Sequence, residues 1–523
     1  MPNQGELAEL AATVLQPGFA GTAAPDWVRR WLGEGLGGVA LFARNVESPA
    51  QVAALTAQLR AEHPDVIVAI DEEAGDVTRF ESRHGSSRPG NLALGAIGDV
   101  DLTEAVARDL GAELADAGIT LNYAPDADVN SNPDNPVIGV RAFGAEPDLV
   151  ARHAAAFVRG LQDAGVAACA KHFPGHGDTA DDSHHALPLI ARDRAQLDAC
   201  ELRPFRAAIE AGTQVVMTGH LLVPAYDEHL PATLSRAILT GLLREELGFQ
   251  GLVVTDGIEM QGVRRQYGLA GATVRALAAG ADAICVGGDN ADEQTAIRLR
   301  DAIVAAVRSG DLPAERLHEA ATRVRRLGAW TTRQQTRTGA RQVADAAGRG
   351  RSEAVRTAGV GFDAARRALR VTVADGAAGL PVAGPAHVVE FAPPRNIAIG
   401  AETPWGVGAP LDDLLPGTTS VRLTADDLAD LGDPAAAVLL GATGRPLVLV
   451  TRDVHRHAWL SDVLGRVLAE RPDAIVVEMG VPVTVLGGVH VATYGATRAN
   501  GLAAAEAIAG VGVPAPAPLP LAV

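Results

Sequence analysis

The sequence predicts an α/β protein, a closed (β/α)8 barrel followed by a smaller α/β sandwich domain. Three observations carry this. Eight short apolar runs recur through the first 290 residues with helical stretches between them. Nearly every run ends, on its C-terminal side, in a charged or imidazole residue. Near residue 330 the chain turns polar, and a second series of apolar runs follows.

The first eight strands are expected in ATVLQ (12–16), GVALFA (38–43), DVIVAIDE (65–72), ITLNYAPD (119–126), AACAKHF (167–173), QVVMTGH (214–220), GLVVTDG (251–257) and ADAICVGG (281–288). Between them lie PAQVAALTAQLRAEH and LVARHAAAFVRGLQDAG, with apolar residues at helical spacing. Gly165 stands where a helix C-terminus favours a left-handed residue. Each crossover returns the chain in the same direction, so the strands pair in parallel, either as a barrel or as an open doubly wound sheet. The count of eight favours the barrel. Asp71, Asp126, Lys171 with His172, His220 and Asp256 then form a ring at the face where barrel loops build active sites.

The barrel is expected over 1–335. The polar stretch after LHEAATRVRRLGAW supplies a linker, 336–351. A second domain, 352–512, has strands near LRVTV, HVVEFA, SVRLT, PLVLVT, AIVVEMG and VHVATYG, and a Pro-rich tail (513–523) is expected to be loosely held.

Hydrophobic residues make up 47% and charged residues 21%, a globular composition. The net charge of −18 is spread along the chain. That argues against nucleic acid or an anionic membrane surface as partner, since both require basic patches. Cys169, Cys200 and Cys285 are odd in number and show no CxxC pairing, which fits a reducing compartment. The N-terminus shows no secretory signal pattern and no run of 18 apolar residues occurs, so a cytoplasmic location is expected.

The densest polar chemistry lies in KHFPGHGDTADDSH (171–184). His172, His176, His184 and Asp182 are zinc-ligand types, but Pro174 and Gly175 forbid the helical pair that zinc sites usually show, so no metal or cofactor is predicted. A second reading is an ordinary polar surface loop. The third is proton transfer. Asp182 and His184 flank Ser183, and a carboxylate bonded to an imidazole fixes its tautomer and raises its basicity. Asp256, ending GLVVTDG, is then the candidate nucleophile.

KHFPGHGDTADDSHHALP resembles the signature loop of family 3 glycoside hydrolases, in their β-N-acetylhexosaminidase branch. GFQGLVVTDGIEM (248–260) is similar to the family's nucleophile segment, VAIDEEAGDVTRF (68–80) to its substrate-binding strand, and NPVIGVRAFG (135–144) to its arginine-bearing loop. The resemblance spans roughly residues 10–330. It implies Asp256 as nucleophile, His184 as acid/base and Asp182 as the partner that orients it. It implies Asp71, Arg79, Arg141, Lys171 and His172 as holders of a terminal N-acetylglucosamine, with His220 a further substrate-binding candidate. His176 and His185 read as structural. Two departures stand out: the family's usual glycine pair appears as Ala74–Gly75, and Asp76 follows where a basic residue is common.

The resemblance implies a retaining exo-β-N-acetylglucosaminidase acting through a glycosyl-aspartate intermediate on a small carbohydrate or glycoconjugate. Hydrolysis is the expected outcome and phosphorolysis, with phosphate as acceptor, the alternative. Substrate-assisted catalysis through Asp181–Asp182 is disfavoured by the isolated Asp256. A non-catalytic sugar-binding barrel is the remaining class. A family 3 β-glucosidase lacks support, because those members generally do not carry this loop.

Overall fold

The structure, a computed structural model, describes residues 3–179, 187–288, 291–348, 359–394, 396, 398–400 and 402–511. The tail expected at 513–523 lies outside them, as do Asp182, His184 and His185. Two compact units result. The first is Met1–Glu73, Val100–Ile138 and Glu146–Ala354; the second is Ala74–Asp99, Gly139–Ala145 and Val355–Val523.

Eight strands build the first unit: β1 (Leu15–Pro17), β2 (Gly38–Leu41), β3 (Ile67–Ile70), β4 (Leu121–Asn122), β5 (Ala167–Phe173), β6 (Val215–Thr218), β7 (Leu252–Thr255) and β8 (Ile284–Val286). Strands β2 to β7 pair in parallel in chain order, β1 pairs with β8, and a Val254–Ala283 bridge joins β7 to β8. This curled sheet is the barrel.

Most predicted runs are trimmed at their ends. ATVLQ needs a larger correction. Ala12 and Thr13 close the helix Gln4–Thr13, whose N-terminus is capped by the Asn3 side chain, and the strand begins only at Leu15. ITLNYAPD yields only two strand residues plus a bridge from Asp126 to Lys171, because Pro125 has no N–H for the ladder.

The strand period decides what the barrel holds. Ile67 with Ala69, Leu121 with Tyr123, Ala167 with Cys169, Val215 with Met217, Leu252 with Val254 and Ala283 with Cys285 pack into one buried cluster. Alternate residues therefore fill the interior. At the rear of β7 and β8, buried Asp282 accepts from the Val253 amide at 2.9 Å and pairs with Arg244, Arg316 and Arg323. One carboxylate ties two strands to the helix Ala314–Gly348. The stretch expected as a linker, 336–351, is helical as far as Gly348.

All six strands expected in the second unit form: β9 (Arg370–Val373), β10 (His387–Phe391), β11 (Thr419–Leu423), β12 (Leu447–Thr451), β13 (Ile475–Glu478) and β14 (Val489–Ala492). Their order is β11-β10-β12-β13-β14-β9, parallel except for β9 at one edge. Val388, Val448, Val450, Val477 and Val491 face one buried cluster; Val389, Phe391, Leu449 and Val476 face another. Both faces are covered, as near-continuous apolar parallel strands require. No described helix is long and apolar enough to cross a membrane.

Candidate active site

Continuing the interior alternation by one step reaches the chemistry. Asp71 follows Ala69, Lys171 follows Cys169, and Asp256 follows Val254, each two residues on. All three extend the inward-facing positions at the C-terminal strand ends. The Cys169 thiol, one layer below, reports their convergence. Burial pushes its pKa up, Lys171 opposes the rise, and the charges of Asp71 and Asp256 add to it.

Lys171 is buried, and its ammonium sits between two carboxylates: it pairs with Asp71 and lies 2.6 Å from Glu73. A buried charge needs such partners. Glu73 is itself buried, so the lysine offsets two negative charges at once. Asp71 and Asp256 remain half-buried. The Asp256 amide donates to Thr218 of β6 at 3.1 Å, and its Oδ1 accepts from the Gly257 amide at 2.7 Å.

His172 is off the inward alternation and is held by Asp128, whose Oδ2 lies 2.7 Å from Nδ1. Asp128 also accepts from the His172 amide and, at 2.7 Å, from the His176 amide. Burial alone would raise the Asp128 pKa, but the His172 and His176 imidazoles and these hydrogen bonds hold it below the usual carboxylate range. His176 is buried, with Nδ1 at 3.1 Å from Thr179 Oγ1. Asp126, Asp128 and His172 bring ligand-type atoms within 4.8 Å of one another. The bond between Asp128 and the His172 ring accounts for two of the three as an orienting pair.

His220 is fully buried. Its Nε2 lies 2.9 Å from the Gly257 carbonyl oxygen and therefore carries a proton, and its Nδ1 lies 2.8 Å from Thr233 Oγ1. Both ring nitrogens thus meet protein groups, and one of them holds the loop that bears Asp256. Glu259, three residues past Asp256, takes the amides of Gly287 (2.9 Å) and Gly288 on Oε1. Burial raises its carboxyl pKa against the pull of those amides, and the Asp256 charge adds to the rise.

Arg79 and Arg141 belong to the two segments that join the second unit. Arg79 Nη1 donates to the Ala398 carbonyl at 2.8 Å, and the Arg141 carbonyl accepts from Asn91 at 2.7 Å. Asp76 is part of the same unit. It is buried, pairs with Arg452, and accepts the Ala496 amide at 2.7 Å. The unusual residue is therefore an internal tie of the second unit. Ala74, where glycine was expected, has φ of 61°.

Glu73, Asp128, Thr233 and Glu259 carry the site's geometry without standing out in the sequence. Glu73 alone carries a local signal, as a third acid in the run DEE at the end of β3.

Carboxylates and a buried lysine at the C-terminal strand ends of a parallel barrel stand where barrel enzymes build their active sites. Residues 15–327 match the glycosyl hydrolase family 3 N-terminal domain. The chain is 40% identical over 269 residues to β-hexosaminidase A of Pseudoalteromonas piscicida, an alignment covering 47% of this chain and 45% of that protein. Against the β-hexosaminidase of Nitrosomonas eutropha it is 40% identical over 286 residues, covering 53% of this chain and 81% of the relative. A solved family 3 β-N-acetylglucosaminidase from Paenibacillus sp. str. FPU-7 superposes with a TM-score of 0.83 and 33% identity, covering 99% of both chains. The chain belongs to glycosyl hydrolase family 3, in its β-hexosaminidase branch, and is a glycoside hydrolase.

Proposed function

We propose that the chain is a retaining exo-β-N-acetylglucosaminidase. The observation that carries this reading is the placement of Asp256: half-buried, on the inward parity of β7, and backed by a loop fixed through His220. Asp256 attacks the anomeric carbon while His184, protonated and oriented by Asp182, gives its proton to the departing oxygen. The neutral imidazole then activates water, which releases the sugar and frees Asp256. Asp71, Lys171, His172, Arg79 and Arg141 hold the terminal N-acetylglucosamine, roles that rest on the family motifs. The substrate is a small carbohydrate or glycoconjugate ending in that sugar. For His220, the protein partners on both nitrogens favour a positioning role over contact with sugar.

Hydrolysis is favoured over phosphorolysis by one observation. Lys171 is the buried cation at the strand ends, and its charge is already offset by Asp71 and Glu73 rather than directed to an anionic acceptor. The test uses an aryl N-acetylglucosaminide and a 5-fluoro N-acetylglucosaminyl donor. The wild type is expected to release the aryl alcohol and to carry the trapped sugar on the peptide containing Asp256. Asp256→Ala is expected to lose at least about 10³-fold in kcat with its melting temperature retained. Label on another residue, or an active alanine variant, removes Asp256 as nucleophile. Adding phosphate and following the products by NMR decides the acceptor, and N-acetylglucosamine 1-phosphate as the main product overturns the hydrolase reading.

A further inference from the structure

The segment bearing the acid/base pair leaves β5 and returns to the barrel through Leu187–Arg192, and both of its stems are anchored. Upstream, the His176 carbonyl accepts from Asn135 at 2.8 Å. Gly175, at φ of 131°, lies so close to Glu201 that a Cβ there would meet the Glu201 side chain at 2.6 Å. Downstream, Leu189 bridges to Leu222, and the Ile190 amide donates to the Leu222 carbonyl at 2.9 Å.

One side chain joins the two stems. Arg192 Nε donates to Asp178 Oδ2 at 2.7 Å across 14 residues of chain. Its Nη2 donates to Ser131 Oγ, beyond β4, at 2.8 Å, and its Nη1 lies 3.1 Å from the buried Glu201 carboxylate. The guanidinium fork thus contacts three separate stretches of chain around the loop base, a geometry a lysine does not reproduce. Burial works against the Arg192 charge, but the Asp178 hydrogen bond and the Glu201 charge outweigh it and raise its pKa.

From this geometry we infer that Arg192 is a positioning residue for proton transfer, fixing the separation and angle of the stems from which His184 and Asp182 are carried. The inference rests on His184 being the acid/base. It does not require Arg192 to touch substrate. Loss of the tie frees the two stems to shift relative to one another, and misplacement by about 1 Å costs on the order of 10²-fold in a step that needs alignment. The cost falls on proton delivery, because Asp256 directly follows β7, where Thr218 accepts from its amide and His220 holds the next carbonyl, Gly257.

The test compares one substrate that needs protonation of its leaving group, N,N′-diacetylchitobiose, with one that does not, the 2,4-dinitrophenyl N-acetylglucosaminide. For Arg192→Ala, kcat/KM is expected to fall about 10–100-fold on the first and less than about 3-fold on glycosylation by the second. Asp178→Asn, a milder change, should show the same split in smaller degree, and Arg192→Lys should lie between Arg192→Ala and wild type. Equal losses on both substrates in folded Arg192→Ala, or no split in Asp178→Asn where Arg192→Ala does not fold, overturn the inference. His184→Ala, run in parallel, isolates its foundation. A split in His184→Ala without one in Arg192→Ala or Asp178→Asn refutes only the positioning role, whereas no split in His184→Ala refutes the acid/base reading itself.

Discussion

Asp128 is reached through three donors, the ring and amide of His172 and the amide of His176, and so connects both ends of the KHFPGH run to the β4 loop. Removing its charge weakens the hydrogen bond that orients a buried imidazole. Asp128→Asn is expected to raise KM by roughly 10–100-fold with a smaller change in kcat, the usual cost of a charge-assisted hydrogen bond. A change in kcat alone would detach His172 from binding. The same carboxylate predicts a pH effect. Its pKa is depressed in the folded protein, so it contributes stability above the unfolded carboxylate value, near about 3.9. That contribution is lost as pH falls from there through the folded value. Below about pH 4, wild type should lose stability more steeply than Asp128→Asn, and parallel acid-unfolding curves would contradict the assignment. At this scale, what the sequence revealed was position. A charge ending an apolar run is visible in one line of text, and Asp71, Lys171 and Asp256 were found that way. Glu73 and Asp128 gain their meaning from partners 98 and 44 residues away, which no local pattern displays.

Strand parity is the element-level rule that separates the candidates. It puts Asp71, Lys171 and Asp256 on the interior sequence and sends His172 and His220 toward protein partners. Parity is legible in the sequence once strand limits are known, but those limits were uncertain by a few residues at β1 and β4. In the second unit, the Asp76–Arg452 pair links the segment after β3 to the end of β12. Asp76→Ala is expected to destabilise that unit by about 3–5 kcal/mol, because it leaves a largely buried guanidinium uncompensated. Replacing both partners with apolar residues (Asp76→Leu with Arg452→Met) should recover much of the loss, and a double variant no better than Asp76→Ala would show the pair is not the cause. On β14, His490 is buried, with its pKa lowered to about 4. The unfolded chain therefore takes up the proton first, near about pH 6.5, and stability declines from there down to about pH 4. His490→Gln should flatten that part of the urea-midpoint profile, and an unchanged slope would assign it elsewhere.

For the whole molecule, two units with separate cores imply unfolding that is not two-state. Calorimetry of wild type should give a van't Hoff enthalpy below the calorimetric one. Asp76→Ala should move only the transition of the second unit, and a single sharp transition that shifts as a whole would refute the division. The architecture of both sheets was readable from alternating runs, since each apolar strand repeats a local signal. Membership of the second unit was not. Ala74–Asp99 and Gly139–Ala145 show no break in composition, and only the folded chain assigns them to the body formed by Val355–Val523. That assignment has a consequence at the ribosome. Two excursions made early in synthesis belong to a body whose remaining sequence emerges several hundred residues later, tens of seconds at ordinary elongation rates. Throughout that interval the helix Asn91–Ile97 lacks the helix Val360–Ala368 that packs against it in the second body. No single cut in the gene yields either body whole, and a fragment ending near residue 335 carries both excursions without the rest of their body.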